Sequence, residues 1–361
     1  EFRRVLFRSK TGEDGDDGPD PDEGKRPINY TKVKLIKLTN MVKDGEDVDF
    51  RVILVSAVMM QTWIKEYEKD PGAAKLLYGI SPVEFCEKLK IGTKLIDEVH
   101  EMFHLMFKLD CYTHVPKLNC LTATLISDDP FITNMYQVMF PSEARITPPP
   151  LKKYTNVYTV RYSFEDPTKI RTTEYGNPNY NHTSFEKSIT SKPAVQKQYL
   201  DLINSVFARA HIQKSRKPLI SKYGVRTLIW CASIDMCERV TKDLLRRYPD
   251  RDIRKYTAED PYSNVMEAEV VVSTIGSSGT ALDIPDLTST IMTDCKKSPQ
   301  ANVQALGRTR ELKDGFQTEH FYLYAENIPK QVQYHEAKKV LYQARAKQIL
   351  DYNTGVVIKQ T

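Results

Sequence analysis

A chain of 361 residues, 40% hydrophobic and 27% charged, has room for two ordinary domains with full cores and the balance of a soluble globular protein. No apolar run approaches the ~20 residues needed to cross a bilayer, which excludes a membrane-spanning helix. Six cysteines without a C-x-x-C pair read as reduced core thiols of an intracellular protein rather than a disulfide frame.

The net charge of +5 is uneven. The first 25 residues hold five Lys/Arg against eight Asp/Glu, so the remainder carries +8. A mildly basic body suits a nucleic-acid binder without requiring one, because solvated surface charge gives the same composition. The opening EFRRVLFRS has the look of an in-frame sequencing-adapter translation and is set aside from the fold. On that reading the chain is an amino-terminal truncation. TGEDGDDGPDPDEG follows, acidic, rich in Gly and Pro and without apolar residues, and is expected to be a loop or disordered.

From Tyr30, YTKVKLIKLTNMV places Val33, Ile36, Leu38 and Met41 at roughly helical spacing. RVILV (51–55) is a continuous β-branched run, expected as a buried parallel strand, with MMQTWIKEYEK as a helix behind it. TKLI (93–96) and LNCLTATL (118–125) are two further short strands. ITPPPLKKY (146–154) interrupts the pattern, since prolines lack donors and favour an extended linker. A polar stretch to Pro193 reads as loops and an irregular hairpin, and AVQKQYLDLINSVFARA as an amphipathic helix. Alternation then resumes with strands RTLIWCAS, EAEVVVST, STIMTDC and EHFYLYA, helices DMCERVTKDLLRRY and Val303 to Arg308, and a closing basic helix from about Lys330 to Leu350. Such alternation means α/β lobes with parallel sheets. The expected division is 1–25 apart from the fold, 26–146 a first lobe, 147–153 a Pro-rich linker and 154–350 a second lobe.

Short patterns fall in a definite order along these elements. Asp97-Glu98-Val99-His100 ends the TKLI strand, and Thr122-Ala123-Thr124 ends the next. Val55 to Trp63 is a strand running into a helix with Gln-x-Trp, and Leu228 to Ser233 opens the second lobe. TIGSSGTALDIP (274–285) and Gln304-Ala-Leu-Gly307-Arg308-Thr-Arg310 complete the set. Each alone is weak, and the bland readings are a solvated turn for Asp97-Glu98, a plain turn for 276–279 and surface charge for the arginines. In this order they resemble motifs II, III, Ia, IV, V and VI of superfamily 2 helicases, over roughly residues 30–345. The look of motifs V and VI, with FEKSI before the second lobe, is similar to phage-encoded DNA helicases.

The resemblance implies two RecA-like P-loop NTPase lobes with ATP and Mg²⁺ between them and a nucleic-acid strand, DNA by preference, across both. Asp97 would hold Mg²⁺, and Glu98 would orient and deprotonate the attacking water. His100 would meet Gln304 across the lobes. Arg308 and Arg310 would neutralise charge on the γ-phosphate, which is worth roughly 10³–10⁵ in rate for arginine fingers. Thr122 and Thr124 would couple the two ligands. Ser56, Ser277 and Thr280 would take strand phosphates, and Gly279 and Asp283 the nucleotide side. The implied protein is a cytoplasmic monomer, in host cytoplasm if phage-encoded. Two departures stand out: the second arginine of motif VI comes one residue early, and motif I is missing or degenerate. Gly24-Lys25-Arg26 offers Lys25 as a phosphate-binding lysine, but Arg26 replaces the Mg²⁺-binding hydroxyl and the preceding acids repel phosphate. ATP turnover by this chain is therefore expected to be weak.

Two other functions fit parts of the sequence. One is a nucleic-acid-binding helicase remnant without ATPase activity. The other is a zinc peptidase, because His100-Glu101-x-x-His104 matches His-Glu-x-x-His, with Asp110 or Glu143 as a third ligand. Nothing in that reading accounts for Asp97-Glu98, and the match is expected to be accidental, with His104, Met102, Phe103 and Met106 as core or lobe-facing residues.

Overall fold

The computed structural model describes residues 4–8, 35–46, 48, 50, 52–100, 103–122, 125, 127, 129–146, 152–215, 224–257, 259–278, 284–312 and 316–360. Two compact units result, one of residues 1–125 with 135–141 and the other of residues 126–134 with 142–361.

The first unit carries a four-stranded sheet of β1 (Arg4–Arg8), β2 (Val52–Leu54), β3 (Ile91–Ile96) and β4 (Lys117–Cys120), ordered β2-β1-β3-β4. This corrects the expectation that residues 1–9 stand outside the fold. The β-prone run RVLFR pairs antiparallel with both β2 and β3, so its backbone satisfies their facing edges. β2 accordingly lies in an antiparallel pair, and only β3 and β4 run parallel. Helices α1 (Leu35–Lys43), α2 (Ala57–Lys69), α3 (Pro71–Tyr78), α4 (Pro82–Lys88) and α5 (Phe103–Tyr112) surround the sheet segments, and α6 (Pro130–Met139) follows. Start signals are local: Asp70 caps α3 through the Ala73 N–H, and Ser81 with Glu84 closes a capping box on α4. Trp63 anchors the core, stacked on Tyr78 at 5.1 Å and edge-on to Phe85 at 5.5 Å.

The second unit is built on seven strands, all parallel: β5 (Asn156–Phe164), β8 (Arg226–Cys231), β9 (Ile253–Tyr256), β10 (Val270–Thr274), β11 (Leu287–Met292), β12 (Glu319–Ala325) and β13 (Gln348–Ile358), in the order β13-β5-β12-β11-β8-β10-β9. A small hairpin, β6 (Thr173–Glu174) with β7 (Asn177–Tyr180), stands apart from it. Helices are α7 (His182–Thr190), α8 (Pro193–Phe207), α9 (Gln213–Ser215), α10 (Ile234–Arg247), α11 (Tyr262–Glu267), α12 (Ile275–Ser278), α13 (Pro299–Gly307) and α14 (Pro329–Gln343). Successive strand residues enter opposite cores. Ile229 and Cys231 pack with α7, α8 and α10 residues such as Phe185, Tyr199 and Val240, whereas Leu228 and Trp230 pack with Leu306 and Tyr342 from α13 and α14. The sheet is therefore covered on both faces.

Two elements differ from expectation. The stretch read as loops contains β5, an interior strand. Its polar letters hide it, yet the Tyr158 hydroxyl donates to Glu319 and the Thr159 hydroxyl to Asp351, so those groups are satisfied across the sheet. The closing helix stops at Gln343, and Gln348–Ile358 adds the edge strand β13 beyond residue 350. Among the cysteines, Cys86, Cys231, Cys237 and Cys295 are buried, but Cys111 is exposed.

Candidate nucleotide and nucleic-acid site

In the first unit the chain leaves β3 at Ile96 and turns through residues 97–100. Lys94 fixes the strand just before the turn. Fully buried, it donates to Asp110 Oδ1 at 2.6 Å and to the Thr113 carbonyl and hydroxyl at 2.7 and 3.0 Å, which ties β3 to the end of α5. Asp97 emerges exposed, and one carboxylate oxygen accepts the Glu98 N–H at 2.9 Å. Glu98 itself has φ 48°, a left-handed conformation rare for a residue with a side chain and concentrated at functional sites.

His100 closes the turn, buried. Its Nδ1 lies 2.5 Å from the Thr122 hydroxyl and 3.3 Å from a Glu98 carboxylate oxygen. The backbone repeats the link: Leu121 N–H donates to the Ile96 carbonyl at 2.8 Å, and Val99 N–H to the Leu121 carbonyl at 3.2 Å. Burial pushes His100 below the usual histidine range, with Asp97 pulling the other way, so the ring is neutral at neutral pH. A neutral ring beside a carboxylate fits the Nδ1–H tautomer. Two hydrogen-bonded pairs, Asp97 with Glu98 and His100 with Thr122, thus meet where the Glu98 carboxylate approaches His100. An exposed carboxylate at a strand end is a hard oxygen donor of the kind Mg²⁺ takes.

A zinc site has little support here. His100 sits in the turn and His104 on α5, where it is exposed rather than core-packed, while Phe103 and Met106 are buried. Asp110 is spent on Lys94, and Glu143 is exposed and accepts from Ser142 at 3.1 Å. Among the described residues no three His, Cys, Asp or Glu converge. Elsewhere in this unit, Ser56 is the N-cap of α2, directly after β2, and its hydroxyl makes no capping bond.

In the second unit Gln304 lies on α13, and Arg308 caps that helix. Their spacing of four puts both on one face, whereas Arg310 lies past the helix end and exposed. The first arginine, then, is the one that shares a face with Gln304. Ser277 belongs to a helical turn, α12, rather than a loop. Its N–H donates to Thr274 Oγ1 at 3.2 Å, and Ser278 accepts the buried Trp230 Nε1–H at 3.0 Å. Lys25, Thr124, Gly279, Thr280 and Asp283 lie outside the described residues.

Sequence reasoning missed Glu186 and Asp294. Glu186, in the middle of FEKSI, is fully buried and accepts the N–H groups of Ala232 and Ser233 at 2.8 Å each and the Ser233 hydroxyl at 2.6 Å. It therefore holds the loop between β8 and α10. Burial pushes its carboxyl up to about 8, against these donors, with Asp294 adding to the rise. Asp294, just past β11, is 1% exposed and pairs with Lys296 at 3.4 Å. No local signal marks Glu186, because its partners lie 46 and 47 residues away.

No family model matches the chain, and no curated protein matches it. Solved structures do. S. cerevisiae Dbp5 bound to RNA and ADP–beryllium fluoride is 11% identical, with TM-score 0.50, over 91% of this chain and 70% of that one. A Dbp5 variant with the same ligands is also 11% identical, with TM-score 0.51, over 91% and 71%. At that identity the likeness is one of fold. The chain shares with them an α/β fold of two RecA-like lobes.

Proposed function

We propose that the chain is an ATP-dependent superfamily 2 helicase or translocase of the Asp-Glu-x-His type. It uses ATP with Mg²⁺ on a nucleic-acid strand, DNA by preference, as a monomer in the cytoplasm. The observation that carries this reading is the turn after β3, where an exposed Asp97 and a left-handed Glu98 precede a buried His100 that is bonded to Thr122. Nucleic acid and nucleotide are the ligands of Dbp5 in the structures above, and the reading extends those two classes to this chain.

In the proposed mechanism Asp97 holds Mg²⁺, which when bound neutralises phosphate charge. Glu98 orients water and takes its proton. Arg308 balances charge on the departing phosphate, and Gln304 stands on the same helix face to position it. Thr122 senses the turn through His100, so that strand occupancy and nucleotide state change together. Lys25 is the proposed phosphate lysine. Turnover is proposed to be weak, because in the sequence Arg26 follows Lys25 where a P-loop has the Ser or Thr that would bind Mg²⁺.

The test is ATP turnover with and without single-stranded DNA, in the wild type, Glu98→Gln and Arg308→Ala, alongside strand binding. Strand-stimulated turnover lost in both variants, with folding and strand binding kept, is the expected result. Turnover that survives Glu98→Gln removes Glu98 from the chemistry. A wild type that binds no strand overturns the reading.

A further inference from the structure

Outside the residues discussed so far, the second unit bears a polar track beginning at the loop held by Glu186. A cavity of about 300 Å³ is lined by Ala232 of that loop, by Asn181, His182 and Thr183 at the start of α7, and by Lys296 and Lys297 past β11. A second cavity, of about 420 Å³, lies next along the chain, where Ser184 of the same helix turn meets Lys187, Ser188, Ser191, Arg171 and Tyr175. Consecutive residues at the start of α7 thus line the two cavities, 181–183 the first and Ser184 the second. Cations and hydroxyls dominate the pair of cavities. The acid of the first cavity, Asp294, pairs with Lys296 at 3.4 Å, and that of the second, Glu174, accepts the Asn181 side-chain amide at 2.8 Å, so each is engaged locally.

Tyr175 is the unusual member. It stands at the tip of the β6–β7 hairpin beside Gly176, whose φ of 76° makes the tight turn, and it is 98% exposed. A tyrosine placed wholly in water contributes little to the fold. Below it the hairpin is well anchored. Arg171 donates through Nε to the Thr173 carbonyl at 2.9 Å, and its N–H donates to Ser188 Oγ at 3.0 Å. Asn181 N–H donates to the Thr172 carbonyl at 2.7 Å, and the Tyr180 hydroxyl meets His182 at 2.6 Å. The ring is therefore held out on an anchored hairpin, and it lines the same cavity as Arg171 and Lys187. An aromatic face next to cations and hydroxyls is the combination that single-stranded nucleic acid recognises, bases stacking on the ring and phosphates meeting the charges.

We propose that this track is a second-unit binding path for a single nucleic-acid strand, running from the loop at Ala232 past the start of α7 to the hairpin, where one base stacks on Tyr175. Lys187 and Arg171 take the phosphates beside that base. The proposal rests on the nucleic-acid reading above and extends it from Ala232 in the 228–233 segment and from FEKSI to Arg171 and Tyr175, which lie outside the helicase-like motifs. Recognition of this kind is indifferent to sequence, because every base has a stacking face and the backbone carries no base information.

The experiment uses the full chain and a fluorescent single-stranded oligonucleotide carrying one 2-aminopurine, titrated at several salt concentrations. Tyr175→Ala should weaken binding roughly 5- to 150-fold, the cost of one lost stack, and should remove the 2-aminopurine quenching that the wild type shows. Tyr175→Phe, which keeps the ring and drops the hydroxyl, should bind and quench as the wild type does. Lys187→Ala and Arg171→Ala should each lower the slope of log affinity against log salt by about 0.7, one phosphate contact apiece. At 98% exposure Tyr175 can be truncated without unfolding the unit, which thermal melting checks. Wild-type affinity and quenching in Tyr175→Ala overturn the proposal while leaving the nucleic-acid reading standing. Equal loss in Tyr175→Phe and Tyr175→Ala also overturns it, since a stacking role needs only the ring. A wild type that binds no single strand overturns both.

Discussion

Arg226, the first residue of β8, is 1% exposed, and its guanidinium is spent on main-chain carbonyls. It donates to Val265 at 2.9 Å, to Ala268 at 3.1 and 3.0 Å, and to Pro285 at 3.0 Å. One side chain therefore joins the sheet to the end of α11 and to the residue that closes the 274–285 segment. Arg226→Met keeps most of the stem volume but withdraws these donors from three carbonyls. A buried acceptor left unsatisfied costs ~1–3 kcal/mol, and hydrogen bonds to charged groups sit at the upper end. Relief from burying the charge returns part of that. A net loss of roughly 3–5 kcal/mol is expected. For a unit of this size each kcal/mol moves the midpoint by about 2–4 °C, so the second unit's transition should fall by roughly 6–20 °C. Arg226→Lys, with one compact donor group, should fall between the two. Thermal unfolding followed by circular dichroism reads all three proteins. A Met variant melting within about 2 °C of the wild type would show that the carbonyls find other partners, and that Arg226 does not hold these elements together.

Stability should peak near pH 6.5. Burial holds His182 down to about 4 and His320 down to about 3, so the folded state binds fewer protons than the unfolded one below 6.5. Their stabilisation is complete above that pH and is lost as pH falls, at up to ~1.4 kcal/mol per unit for each. Glu186, raised to about 8, acts in the opposite direction, and stability declines as pH rises from about 4.5 to 8. Urea midpoints from pH 5 to 8.5 check both limbs; His320→Gln should flatten the acid limb, and a profile with no maximum refutes the assignment. Thr122→Val removes the hydroxyl 2.5 Å from His100 and should cost about 1 kcal/mol in the first unit. Its larger expected effect is on coupling: strand stimulation of ATP turnover should drop roughly 2- to 30-fold while unstimulated turnover persists, and an unchanged ratio excludes Thr122 from that role.

Local order carried much of this protein into view from its sequence. Helix starts such as Ser81 with Glu84 are written within four residues, and the apolar runs of β8 and β10 declare buried parallel strands because both faces are covered. The acid pair at Asp97-Glu98 was legible too, since strand, carboxylates and histidine are contiguous. Hidden from it were the features made by distant partners. β5 reads as polar until Glu319 and Asp351 supply the groups that its Tyr158 and Thr159 need. β13 alternates like any edge, and only the open side of β5 decides that it joins the sheet rather than extends α14. RVLFR acquires a place only through the facing edges of β2 and β3. Glu186 and His100 follow the same rule. A buried polar group has meaning only with its partner, and chain separation between partners carries no mark in the sequence, whereas burial makes their pairing obligatory once the chain has folded.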